Sequence, residues 1–238
     1  MKISLVGYGK MGIAIENLGL AAGHSIAYKI DKSNQNQLEE LSLENTDIVI
    51  EFSDPKKAVF NIKACIKKGI PVISGTTGWL DAWQEVELYC KKHNGTFFYA
   101  SNYSIGVNLF FKINQFAAKL MAHQNYQVEL EEIHHTEKKD SPSGTAITLA
   151  EPILNEQNMD HWVNNKTDDK SKLGILSKRE PNVAGTHVVT YSSEIDEISF
   201  SHIAHGRKGF AKGALSVAEW VIKSKSTGML SMKDFLRF

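Results

Sequence analysis

Only two cysteines, Cys65 and Cys90, occur in 238 residues, and neither belongs to a C-x-x-C pair or to a zinc-type histidine spacing. A disulfide framework is excluded and no metal site is expected; both residues fall in helical patterns, where a buried free thiol is the expectation. Net charge of either sign is also lacking, since 27 Lys plus Arg balance 27 Asp plus Glu. No global basic field draws in nucleic acid or an anionic membrane. No apolar run approaches the roughly 18 residues of a membrane span. Met1 to Gly7 enters a short strand and a glycine turn, too brief for the apolar core of a signal peptide, so a cytoplasmic protein is expected, with no membrane or nucleic-acid partner. Repeats and low-complexity segments are absent.

What is present begins with alternation. Strand-length apolar runs at Ile3 to Val6, Ser25 to Ile30, Asp47 to Phe52, Pro71 to Ser74 and Thr96 to Ala100 are separated by helical patterns starting near Lys10, Pro55 and Leu80. Such βα alternation, with strands apolar on both faces, predicts a doubly wound parallel sheet. After Asn108 the pattern changes to an amphipathic helix from Leu109 to Ala122, a strand from Tyr126 to His134, a helix from Ser143 to Asn158, and strands near Gly174 to Leu176, Gly185 to Tyr191 and Glu197 to Ile203. This reads as a second, α+β domain with a mixed or antiparallel sheet. Residues 155–172 read as a mobile surface loop, and Ala211 to Lys223 returns to helix.

Gly7-Tyr8-Gly9-Lys10-Met11-Gly12 follows the first strand and opens a helix, the context that gives a G-x-G-x-x-G turn its meaning: a tight turn, close approach of a pyrophosphate, and helix-to-strand packing. Asp31 ends the second strand at about the 20-residue interval expected of the carboxylate that binds an adenosine ribose. It favours NADH, while the adjacent Lys32 and nearby Lys29 leave NADPH open as a partner for a 2'-phosphate.

The densest chemistry lies in His134-His135-Thr136-Glu137-Lys138-Lys139-Asp140-Ser141-Pro142-Ser143-Gly144-Thr145-Ala146. Ser141-Pro142 suits the cap and first position of the following helix. The amides of Ser143, Gly144 and Thr145 would then point outward to hold a carboxylate or phosphate, beside two imidazoles and Lys138. In an extended strand His134 and His135 face opposite sides. His187 and His202 read as structural or interface residues.

This segment, with Gly75-Thr76-Thr77-Gly78, Ser101 to Asn108, Gly185-Thr186-His187 and Glu197 to His202 in the same order, resembles the dihydrodipicolinate reductase family over nearly the whole chain. The resemblance implies a Rossmann-like doubly wound parallel sheet with an inserted α+β domain of mixed sheet, the nucleotide domain comprising residues 1–105 plus 211–238 and the substrate and oligomerisation domain residues 106–210. It implies NADH or NADPH as hydride donor, a cyclic dicarboxylate substrate, and a homotetramer. On it, His134 and Lys138 are the catalytic proton carriers, and His135, Ser143, Gly144 and Thr145 contact substrate. Gly75, Thr76, Thr77, Ser101, Asn102, Tyr103, Ser104, Arg207 and Phe210 join Gly7 to Gly12, Asp31 and Lys32 at the cofactor. Two alternatives stay open: a related two-domain dehydrogenase of another amino or oxo dicarboxylate, and a non-catalytic nucleotide-sensing protein.

Overall fold

The computed structural model describes residues 1–206 and 208–238. The chain divides into two compact units, Met1–Ser104 with Lys208–Phe238, and Ile105–Arg207.

The first unit is built on strands β1 (Lys2–Val6), β2 (Ser25–Ile30), β3 (Ile48–Glu51), β4 (Val72–Ser74), β5 (Thr96–Tyr99) and, after the second unit, β11 (Gly228–Leu230). All pair in parallel, in the order β11-β5-β4-β3-β1-β2. Helices α1 (Lys10–Ala21) and α6 (Lys208–Ser224) pack with Ile3, Leu5, Ile48, Ile50 and Phe98; α2 (Pro55–Lys67) and α3 (Trp83–Lys92) pack with Val49, Val72 and Phe97. Helices on both faces of a parallel sheet make this unit Rossmann-like and doubly wound. Two sequence expectations need correction. As an edge strand β2 alternates exposed and half-buried residues rather than being apolar on both faces, and β11 extends the sheet where no strand was predicted.

The second unit holds β6 (Gln127–His134), β7 (His161–Val163), β8 (Lys172–Arg179), β9 (Gly185–Ser192) and β10 (Glu197–Ala204) in the order β10-β9-β6-β8-β7. Pairing is antiparallel through β10, β9 and β6 and parallel through β6, β8 and β7, a mixed sheet. α4 (Ile105–Met121) and α5 (Gly144–Gln157) bury Val128, Leu130, Ile175, Val189 and Tyr191. The segment predicted as a loop contains the end of α5 and the whole of β7, whose Trp162 packs against this core. Its polar composition hid a three-residue strand too short to show alternation.

Candidate active site

A cleft of about 690 Å³ opens at the carboxyl ends of β1, β2 and β3, lined by Gly7, Tyr8, Gly9, Asp31, Lys32, Gln35, Ser53, Lys56 and Lys57 among others. It sits where the strand order reverses, β1 lying between β2 and β3. The three glycines have separate geometric causes. Gly7 has φ +94°, and a Cβ there would stand 2.0 Å from the Phe52 carbonyl oxygen. A Cβ on Gly12 would meet the Gly7 carbonyl oxygen at 2.8 Å. Gly9, the N-cap of α1, has only open space where a side chain would be, so a phosphate group can approach the helix N-terminus and its unpaired amides. Lys10 and Met11 form the first turn behind it.

Asp31 is exposed at the cleft edge, where the Ser33 hydroxyl (2.6 Å) and amide (2.7 Å) hold its carboxyl below the usual range. Lys29 does not join it: its ammonium pairs with Glu16 at 3.2 Å, over the Tyr8 ring. The other lysines lining the cleft, Lys56 and Lys57, were not singled out by the sequence pattern. Gly75, Thr76 and Thr77 follow β4; Thr76 is buried and its Oγ1 accepts from Ser53 N at 2.8 Å, while Thr77 is exposed. Of the run Ser101 to Ser104, Tyr103 is buried and donates to the Ser74 carbonyl at 2.8 Å, and Ser101 is exposed. Phe210 is half-buried in α6; Arg207 lies outside the described residues.

The second cluster forms at the end of β6. Along that strand the buried face runs Val128, Leu130, Glu132, His134, so the apolar face turns ionic over its last two inward positions. Register supplies the neighbours: Glu132 stands opposite His187 on β9 and Ser177 on β8, and His134 opposite Arg179. Glu132 Oε1 accepts from Ser177 Oγ (2.8 Å) and Ser143 N (3.0 Å) and lies 3.4 Å from the Arg179 guanidinium; Oε2 lies 3.3 Å from His134 Nδ1 and 3.7 Å from His187 Nε2. Burial pushes the Glu132 carboxyl up, but the His134 imidazole beside it and the hydrogen bonds from Ser143 and Ser177 outweigh that and hold the group well below the usual range. Burial pushes His187 down to about 4, with the His134 charge adding to it. Donor atoms of Glu132, His134 and His187 lie within 4.8 Å of one another, a spacing that also suits a metal ion, but Arg179 already brings positive charge to this carboxylate. Gly185 leaves the room His134 needs, since a Cβ there would lie 3.1 Å from His134 Nε2.

The anion site differs from its sequence-based form in one respect. Helix α5 is capped by Ser143, not Ser141: the Ser143 hydroxyl accepts from Ala146 N at 3.1 Å and contacts His187 Nε2 at 3.2 Å. The Ser143 amide is therefore turned inward to Glu132, and the outward amides are those of Gly144 and Thr145, the first two helical positions, which have no intrahelical acceptor. Lys138 Nζ is bound by both carboxylate oxygens of Asp140 at 2.9 and 2.8 Å, which holds that carboxyl low. His135 lies just past the strand end, half-buried. Glu132, Ser177, Arg179 and the placement of His187 inside the cluster were missed. For Glu132 the signal was available: two positions before His134, it shares that residue's strand face.

Family models for the dihydrodipicolinate reductase N-terminus and C-terminus match residues 1–103 and 106–236. The chain belongs to the dihydrodipicolinate reductase family. It is 48% identical to a 4-hydroxy-tetrahydrodipicolinate reductase of Christiangramia forsetii, covering 99% of this chain and 98% of that one, and 35% identical to the Rickettsia bellii enzyme of the same name over 96% and 91%. A dipicolinate-bound dihydrodipicolinate reductase from Paenisporosarcina sp. TG-14 shares the fold, with a TM-score of 0.76, 20% identity and 97% of both chains covered. In this dihydrodipicolinate reductase family member the glycine cleft belongs to the unit matched by the N-terminal model. The Glu132 cluster belongs to the part matched by the C-terminal model. No helix among the described residues is long and apolar enough to cross a membrane.

Proposed function

We propose that this protein reduces 4-hydroxy-tetrahydrodipicolinate to tetrahydrodipicolinate in lysine and diaminopimelate biosynthesis, with NADH or NADPH as hydride donor. The carrying observation is the cluster at the end of β6, an imidazole 3.3 Å from a buried carboxylate, followed in the chain by the Lys138 ammonium and the two amides at the start of α5 that have no intrahelical acceptor. A bound nicotinamide supplies hydride, which protein groups cannot. The geometry around Gly7, Gly9 and Gly12 supports binding of its pyrophosphate, and the family resemblance assigns Asp31, Lys32, residues 75–77 and 101–104 and Phe210 to its remaining parts.

The chain's own groups then handle charge and protons. The amides of Gly144 and Thr145, with the positive end of α5, hold a ring carboxylate, and Ser143 fixes that turn from behind. His135 faces the substrate from the strand end. His134 and Lys138 carry the proton that the neighbouring ring carbon needs when hydride has been added. Asp140 holds the Lys138 ammonium until an anionic ligand competes for it. Lys32, Lys56 and Lys57 beside Asp31 support use of both dinucleotides. The side of the second unit's sheet turned away from its core, which carries Thr186, Val188, Thr190 and the exposed Ile203, supports a homotetramer assembled through it.

A Lys138→Ala protein tests the reading. Cofactor binding, followed by NADH fluorescence, is retained within twofold, and turnover on 4-hydroxy-tetrahydrodipicolinate falls at least 100-fold. Near wild-type turnover ends the assigned role of Lys138. Cofactor oxidation with another oxo or amino dicarboxylate, but none with this one, would move the protein to the related-dehydrogenase reading.

A further inference from the structure

Glu51, the last residue of β3, is a fully buried carboxylate that forms no ion pair among the described residues. Its bonds run outward to the cleft. Oε1 accepts from the Ser53 amide at 3.2 Å and from the Ser53 hydroxyl, and Oε2 accepts from the Ser74 hydroxyl at 2.5 Å. The next layer fixes the polarity. Ser53 Oγ accepts from Asn61 Nδ2 at 3.1 Å and Ser74 Oγ from Thr76 N at 3.4 Å, which leaves each hydroxyl proton directed at Glu51. Asn61 in turn accepts from Gln35 Nε2 at 2.9 Å, and Ser53 N is shared with Thr76 Oγ1 at 2.8 Å.

Two members of this network, Gln35 and Ser53, line the glycine cleft. Phe52 lines the same cleft; its carbonyl abuts Gly7 and its ring fills the place where a Cβ of Gly75 would be, 2.1 Å away. The loop after β3 thus supports the glycine turn on one side and the loop after β4 on the other, and its buried carboxylate anchor is Glu51. An apolar side chain of similar size would fill the space equally well without leaving a carboxylate to satisfy, so stability alone does not account for this residue.

We propose that Glu51 is a positioning residue for the dinucleotide, holding the loops at 52–54 and 74–77 in the geometry that binds it. The inference rests on the nucleotide assignment of the cleft, but not on which dicarboxylate is reduced.

The test uses the full-length protein with NADH and NADPH as probes, read by equilibrium fluorescence titration. Glu51→Gln keeps the shape but presents an amide donor to hydroxyls that already direct protons inward. Its dissociation constants are expected to rise at least tenfold, with KM for the cofactor following and kcat at saturating cofactor and KM for the dicarboxylate within threefold of wild type. Ser74→Ala removes one tie while leaving the carboxylate; a rise of three- to tenfold is expected, less than additive with Glu51→Gln. Unchanged dissociation constants in a folded Glu51→Gln overturn the proposal, as does a fall in kcat with cofactor affinity intact. If Glu51→Gln does not fold, Ser74→Ala decides: affinity within twofold of wild type overturns it. Wild-type protein that binds neither dinucleotide refutes the nucleotide assignment instead.

Discussion

Glu132 Oε2 and His134 Nδ1 lie 3.3 Å apart on one face of β6, both side chains buried and two residues apart in sequence. A carboxylate behind an imidazole orients the ring, which is what a proton carrier needs. Glu132→Gln keeps the size and removes the charge. It is expected to lower kcat by about 100-fold while cofactor affinity stays within twofold, measured by steady-state kinetics beside fluorescence titration. A loss of less than threefold in kcat would show that His134 does not depend on this partner.

His187 is held neutral by burial, down to about 4, against an ordinary value of 6.5. Between those two values the unfolded chain binds more protons at this residue than the folded one, so stability falls as pH falls from 6.5 towards 4, by at most about 3 kcal/mol. Glu132, whose carboxyl is held low, adds its own loss only below its ordinary value of 4.5. His187→Gln is expected to flatten the dependence of Tm on pH between 6.5 and 4.5. Parallel Tm curves for the two proteins would refute the account.

The glycine turn separates folding from binding. At Gly7 an added Cβ would sit 2.0 Å from backbone at a φ of +94°, so Gly7→Ala should lose about 3 kcal/mol or more of stability. At Gly9 the same methyl meets nothing within 4 Å. Gly9→Ala should therefore stay within about 1 kcal/mol of wild type and, on the proposed reading, lose at least tenfold in dinucleotide affinity, since the methyl enters the space open to a phosphate. Urea melts with fluorescence titration check both, and tight binding by Gly9→Ala would displace the pyrophosphate from this turn.

Burial pushes the Cys65 thiol up to about 12 and also raises that of Cys90, and both side chains are inaccessible. An aromatic disulfide reagent at pH 8 should find neither thiol in the folded protein and both in denaturant. Rapid labelling of one thiol under native conditions would reveal local opening of α2 or α3.

The doubly wound unit was legible because its strands and helices announce themselves by period and its glycine turn by spacing. Its least legible parts were β2, whose edge position depends on strand order, and β11, three residues whose pairing with β5 is set by a chain return some 130 positions later. The run from His134 to Thr145 stands out in sequence because its charged and capping residues are contiguous. The cap was misplaced by two residues because Ser141 and Ser143 both suit an N-cap, and the choice between them is made by Glu132 and His187, which hold Ser143.

By itself, then, the sequence determined the family and the alternation of strands and helices, because each of these is written in local order and spacing. Tertiary structure alone decided that Glu132, His134, Ser143, Ser177, Arg179 and His187 form one cluster and that Glu51 anchors the loops of the cleft. Those contacts are made by strand register and by helix packing across dozens of residues, and a one-residue slip of β6 against β9 would turn Glu132 and His134 to the opposite face of the sheet.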